Sequence, residues 1–226
     1  MNSFMKVMAA LILTAVAMTG LTGCKKDKGT DAPESHEYVD LSLPSGTLWA
    51  TCNVGADNPE NVGYYFSWGE VSPKDTYTWD NYRYGDCIDE QFEMTKYCPA
   101  DSIIILEPMD DAATVNWGSD WRMATKEEWE ELYLKTTWTW TERNGVQGRL
   151  LTGINGNSIF LPAAGFCLDN DTIGISIGMY WTSSLQTIFP ERGWSYHFDD
   201  VNSHVCGTYQ RCRGQSVRAV KINPGK

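Results

Sequence analysis

Residues 117–133 read WGSDWRMATKEEWEELY, a stretch dense in Trp and acidic residues. Thr125, Lys126, Glu127 and Glu128 have the spacing of a capping box. In that arrangement the Thr125 hydroxyl accepts from the amide of residue 128 while the Glu128 side chain reaches back. Glu127 and Glu128 also complement the positive end of the helix dipole. Trp129, Leu132 and Tyr133 fall at i, i+3 and i+4 and make one apolar stripe. Glu127, Glu130 and Glu131 lie away from it, so a solvated acidic face explains them without catalysis. The stretch therefore predicts a capped helix with Trp117, Trp121, Trp129, Leu132 and Tyr133 facing a core. Arg122 is the candidate ion-pair partner for one of the acids.

Working outward, MDDAATVNWG (109–118) predicts a short helix ended at Gly118. Upstream, EYVDLSLPSGTLWATCNVG (37–55) reads as two strands around a Pro-Ser-Gly turn, with Val39, Leu41 and Leu43 alternating. GYYFSWGE (63–70) is a further strand. From Val71 to Leu106 the chain is polar, aromatic and irregular, apart from SIIIL (102–106), and reads as a long surface excursion. Downstream, TWTWTE (137–142) alternates strictly and Asn144-Gly145 is a hairpin turn. VQGRLLTG, NSIFLPAAG, GMYWTSSL, GWSYHFDD and GQSVRAVKI follow, punctuated by Gly, Asn, Asp or Pro. Strand runs after a helical middle predict an α+β fold, with antiparallel sheets, two short helices and long loops.

The N-terminus reads differently. Lys6 precedes the apolar VMAALILTAVAMTG, and Leu21-Thr22-Gly23-Cys24 has the form of a bacterial lipobox. Residues 1–23 are expected to be a lipoprotein signal peptide and Cys24 the lipid attachment site. The apolar run is short for a membrane span, whereas several acyl chains on one Cys give stable anchoring. Residues 24–37, CKKDKGTDAPESHE, bury too little to fold and read as a flexible tether. Residues 38–226 then suit a single domain. These features place the protein in the cell envelope, on the outer membrane or cell surface, with the membrane as partner.

A formal net charge of −11 argues against nucleic acid, which needs a basic footprint. Ten Trp, eleven Tyr and twenty Gly suit a domain with many aromatic anchors and tight turns. Beyond Cys24 the cysteines are Cys52, Cys87, Cys98, Cys167, Cys206 and Cys212. An even set in an oxidising compartment permits disulfides, Cys87–Cys98 and Cys206–Cys212 being the shortest closures, and free buried thiols remain the alternative. No Cys/His cluster has zinc spacing, and no metal or other cofactor is expected.

VDLSLPSGTLWATCNVGA, GYYFSWGE, WRMATKEEWEELY, IFLPAAG, YWTSS and SVRAVK occur in that order. Together they resemble the Fibrobacter succinogenes major paralogous domain of envelope lipoproteins from Bacteroidetes-type bacteria, over roughly residues 38–222. The resemblance implies a C-type-lectin-like fold related to formylglycine-generating, sulfatase-modifying domains. It implies no single activity. An oxidase of that kind would need a redox Cys pair near the C-terminus. Here SVRAVK follows Cys212 too closely, which puts that activity in doubt. Lectin-type calcium tripeptides are absent. DNDTIG (169–174) places Ile173 and Tyr180 where an EF-type loop needs oxygens, so it reads as a polar turn. GISIG (174–178) lacks the strand–helix context of a hydrolase elbow.

Recognition remains. In the fold implied by the resemblance, the segment before the final strand forms the ligand face, here residues 181–213. Trp181, Ser183, Trp194, Tyr196, Asp199, Tyr209 and Arg211 are the candidate ligand-binding residues, combining flat apolar faces with directional hydrogen bonds. Alternation along strands leaves burial open for Trp181 and Trp194; Tyr196, Tyr209 and Arg211 are expected to be exposed. The resulting expectation is a non-enzymatic module that binds a glycan or a protein, with no catalytic residue. A structural role in envelope assembly, or a formylglycine-type oxidase, is the alternative.

Overall fold

Thr125 caps its helix as expected: its hydroxyl accepts from the Glu128 amide, and the Glu128 carboxylate accepts from the Thr125 amide at 2.9 Å. The computed structural model describes residues 36–202 and 205–222, all within one compact unit, Pro33–Lys226. The signal peptide, Cys24 and residues 25–35 lie outside the described residues. His36 and Glu37, assigned above to the tether, belong to the fold. The His36 ring stacks on Trp117 with centroids 3.9 Å apart, and the Glu37 carbonyl accepts from the Thr51 amide.

The chain runs β1 (Tyr38–Asp40), β2 (Thr47–Asn53), β3 (Tyr65–Phe66), β4 (Gly85–Ile88), β5 (Gln91–Met94), α1 (Ala112–Trp117), β6 (Arg122–Met123) and α2 (Lys126–Lys135). It continues through β7 (Thr137–Arg143), β8 (Val146–Thr152), β9 (Ser158–Pro162), β10 (Phe166–Leu168), β11 (Asp171–Ile173) and β12 (Gly178–Leu185). The last strands are β13 (Arg192–Phe198), β14 (Val205–Gln210), β15 (Gln215–Ser216) and β16 (Arg218–Ile222). The architecture is α+β and mostly β. No helix among the described residues is long and apolar enough to cross a membrane.

Two larger sheets organise it, ordered β1-β2-β16-β6 and β14-β13-β12-β15-β3, beside the meander β7-β8-β9 and two hairpins. Pairing between the strands is antiparallel except for Tyr180 against Ser216, where β12 meets β15 in parallel, and an isolated parallel bridge joins Gly165 to Gly178. The antiparallel expectation is corrected at those two places. Trp49 lies opposite Val220, so the first and last motifs of the fold are sheet neighbours. Arg218 fixes this junction: its buried guanidinium donates to Asn53 Oδ1 and to the carbonyls of Ala50, Thr51 and Phe160.

Buried side chains form two clusters. Trp121 and Met123 join Trp68, Tyr97 and Trp181 in the first, with Trp117 against its rim. Trp129 and Leu132 join Trp49, Tyr180, Tyr196 and Phe198 in the second, with Tyr133 alongside. The stretch 117–133 thus belongs to both cores, and its two halves serve different ones. Arg122 bridges them by a two-pronged ion pair to Glu128 at 2.6 Å on each arm. Burial opposes ionisation of Glu128, but Arg122 and the hydrogen bonds from Thr125 and Thr47 hold its carboxyl below the ordinary range. Glu131 is not merely solvated. It accepts from the amide and hydroxyl of Ser45, tying α2 to the Pro-Ser-Gly turn.

The expected surface excursion holds along most of residues 71–106 and is corrected at its aromatic anchors. Tyr77, Tyr82, Tyr84 and Tyr97 are all buried. Asp110 is the hub. It accepts from the hydroxyls of Tyr84 and Tyr97 and from Lys96 Nζ, which also meets Glu107. Asp101 gathers the amides of Tyr97, Cys98 and Ile103. Polar anchors therefore replace apolar periodicity here, which is why alternation gave no sign of burial. The β4–β5 turn is equally unmarked: Asp89 and Glu90 both take positive φ, where Asn-Gly would have been the recognisable signal.

Candidate functional site

The seven residues proposed for the 181–213 face do not share a surface. Trp181 is buried and donates from Nε1 to the Phe66 carbonyl at 2.8 Å. Ser183 is buried, and Tyr196 is fully buried with its ring stacked on Trp129 at 5.1 Å. Arg211 is also fully buried: it lies over the Trp68 ring at 4.8 Å and donates to the carbonyls of Lys96 and Tyr97. Exposure of Tyr196 and Arg211 is thus corrected. Tyr196 takes an inward position of β13 against Trp129, and Arg211, just past the end of β14, is drawn inward by the Lys96 and Tyr97 carbonyls; only Trp181 and Ser183 belong to β12, which is buried at all eight positions.

The remaining three are partly accessible. Trp194 is half-buried beneath Lys126, whose Nζ sits 4.6 Å from the ring centroid. Asp199 caps its own turn by accepting from the amides of Val201 and Asn202, and those bonds hold its carboxyl low. Tyr209 is half-buried against His197, its hydroxyl 3.3 Å from Nδ1. Burial lowers the affinity of His197 for a proton and raises that of the Tyr209 phenolate.

All six cysteines of the described region are free. Cys206 flanks the second core and Cys212 is part of the first, so the two short-range partners suggested by spacing serve separate clusters. Burial pushes the Cys206 thiol up to about 11 and the Cys212 thiol up to about 12. Both are neutral thiols at pH 7, the opposite of an activated nucleophile. Among the described residues no three His, Cys, Asp or Glu side chains converge to hold a metal ion.

Convergent polar and aromatic groups occur instead around Trp121 in the 117–133 stretch. A groove of about 470 Å³ is lined by Pro108, Thr114, Ser119, Asp120, Trp121, Arg122 and Lys221. It exists because α1 stops at Gly118, where φ is 93°, and the chain must turn through Ser119 and Asp120 before entering β6. The sheet places Lys221 beside Trp121: Val220 pairs with Arg122, so the next residue of β16 faces the preceding residue of β6's chain. Lys221 Nζ lies 5.3 Å from the Trp121 ring centroid and 5.1 Å from that of Tyr38. Tyr38 is 50% exposed and Trp121 only 5%. Sequence reasoning missed Tyr38, Asp120 and Lys221 because they come from three distant segments, each ordinary in its local pattern. Compared with protein-family models, curated proteins and solved structures, the chain gives no match.

Proposed function

We propose that this chain is a lipid-anchored extracytoplasmic protein, attached through Cys24, whose domain is a non-enzymatic recognition module of C-type-lectin-like type. The kinship with the Fibrobacter succinogenes major paralogous domain is part of the same proposal. It is supported by the way the family-like segments assemble: VDLSLPSGTLWATCNVGA and SVRAVK meet as β2 and β16, and WRMATKEEWEELY supplies β6 and α2 beside them.

The observation that carries recognition is the groove beside Trp121. An apolar ring edge, hydroxyls, a carboxylate and a cation converge on one open recess, which is the equipment for binding a polar ligand rather than for transforming it. The thiols that an oxidase would need are neutral and lodged in separate clusters. A glycan array and a pull-down with the full chain, repeated with Tyr38→Ala, test the reading. Retained ligands that weaken in the variant are expected; retention unchanged by Tyr38→Ala moves the site elsewhere. Anchoring is tested separately by metabolic acyl labelling, which should disappear in Cys24→Ala.

A further inference from the structure

The charges around the groove are not equally engaged. Arg122 spends its guanidinium on Glu128, with both arms at 2.6 Å, and on the Met123 carbonyl. It contributes little free charge to a ligand. Lys221 is different. Among the described residues, the carboxylate within ion-pair range is Asp120, at 4.0 Å and on a side chain that is 80% exposed. What holds Lys221 in place is two ring faces, those of Tyr38 and Trp121, and its side chain remains 21% exposed. An ammonium clasped by aromatic rings, its Asp120 counter-ion as far off as 4.0 Å, is a preset anion acceptor at the groove wall.

Asp120 sets the second requirement. Its carboxylate stands in the same recess and needs donors, not a second anion. Ser119 is exposed beside it, and Tyr38 offers a half-exposed ring within 6.4 Å of Trp121. A ligand that satisfies all of these carries one anionic group, several hydroxyl donors and a flat carbon–hydrogen face for the ring. An acidic peptide supplies the anion but brings further carboxylates toward Asp120. A polyanion such as nucleic acid also meets a chain whose formal net charge is −11. We propose that the groove binds a carboxylated saccharide, with the sugar carboxylate on Lys221, ring hydroxyls on Asp120 and Ser119, and the sugar face against Tyr38. This rests on the recognition reading of the same groove and specifies its ligand class.

Titration calorimetry of the full chain with tri-galacturonic acid, its fully methyl-esterified form and hexaglutamate tests the assignment. The acid is expected to bind, with the ester and Lys221→Met each weakening binding about tenfold or more, the effect of losing one charged hydrogen bond. Asp120→Asn should weaken the acid and the ester alike. Lys221→Met keeps the aliphatic stem, and an unchanged melting temperature identifies its effect as local. Equal affinity for acid and ester, both lost in Tyr38→Ala, overturns the anionic assignment while leaving saccharide recognition at the groove intact. Hexaglutamate binding as tightly as the sugar acid overturns it in favour of an acidic peptide. Binding of none of the probes, or binding indifferent to Tyr38→Ala, overturns the groove as the site and this proposal with it.

Discussion

The two buried clusters are built by different means. The second is assembled from regular elements whose inward positions repeat: Trp129 and Leu132 of α2, Trp49 of β2, Tyr180 of β12, and Tyr196 and Phe198 of β13. The first takes Tyr82, Tyr84, Tyr97 and Leu106 from a segment with little regular structure. That segment is held by buried polar nodes, Asp110 beneath Tyr84, Tyr97 and Lys96, and Arg211 against the carbonyls of Lys96 and Tyr97. Periodic apolar residues make a core that depends on volume. Irregular aromatic residues make one that depends on charge and hydrogen bonds, and so on pH.

The largest expected effect tests the volume side. Trp129→Ala removes a fully buried ring that stacks on Tyr196 and meets Trp49 edge-on, and should cost about 3–5 kcal/mol. Urea unfolding at pH 7 measures it. A near-neutral midpoint would show that the second cluster does not rest on this ring. The cost should be the same at pH 4 as at pH 7, since no titrating group is removed.

Asp110→Asn tests the charge side, at about 3 kcal/mol for breaking a buried charged contact. Burial opposes ionisation of Asp110, but the hydrogen bonds from Lys96, Tyr84 and Tyr97 prevail and hold its carboxyl below the usual range near 4. A depressed folded value means the stabilisation is fully present above the unfolded value and is lost as pH falls through the folded one. The gap between wild type and Asp110→Asn should therefore be widest at neutral pH and close below about pH 4. A gap that stays constant down to pH 2 would assign the first cluster to packing alone and erase the contrast.

The same contrast explains what was legible in the sequence. Thr125 and Glu128 marked the start of α2, Gly118 the end of α1, and Asn144-Gly145 the β7–β8 hairpin, because local chemistry determines each. Val39, Leu41 and Leu43 alternate because one side of that segment is covered. Tyr77, Tyr84 and Tyr97 were unreadable because their burial depends on partners outside their local pattern: Tyr65 and Asp169 for Tyr77, Asp110 for Tyr84 and Tyr97, and Arg211 for Tyr97. The binding face failed for a related reason: Trp181, Tyr196 and Arg211 look like ligand contacts when only their chemistry is visible. The groove residues Asp120 and Lys221, and Tyr38 beside Lys221, become neighbours only once β16 has paired with β6 and the chain has turned after α1.

Helix capping lies between the extremes and sharpens where the readable region begins. Thr125→Ala should cost about 1 kcal/mol, the usual loss for an N-cap hydroxyl, and act on the second cluster through α2. Because Glu128 is also held by Arg122, the helix should keep its start, and far-ultraviolet circular dichroism should hardly change. A loss of helical signal would mean that the hydroxyl, and not the ion pair, fixes the first turn.

The smallest effect concerns Trp194, an aromatic residue of the proposed 181–213 face that is reachable yet already covered. Lys126 lies over Trp194 and pairs with Glu130 at 3.2 Å, so Lys126→Met removes a cation–π contact and an exposed ion pair together. Each is worth under about 1 kcal/mol at such a site. The melting temperature should move by only a few degrees, and the Met stem should still shade the ring. If Trp194 were a ligand platform, uncovering it with Lys126→Ala should strengthen retention on a glycan array while Tyr38→Ala leaves retention untouched. The opposite pattern, loss with Tyr38→Ala and indifference to Lys126→Ala, assigns recognition to the groove beside Trp121. It also leaves Trp194 as a half-buried ring of β13, covered by the lysine that the helix places above it.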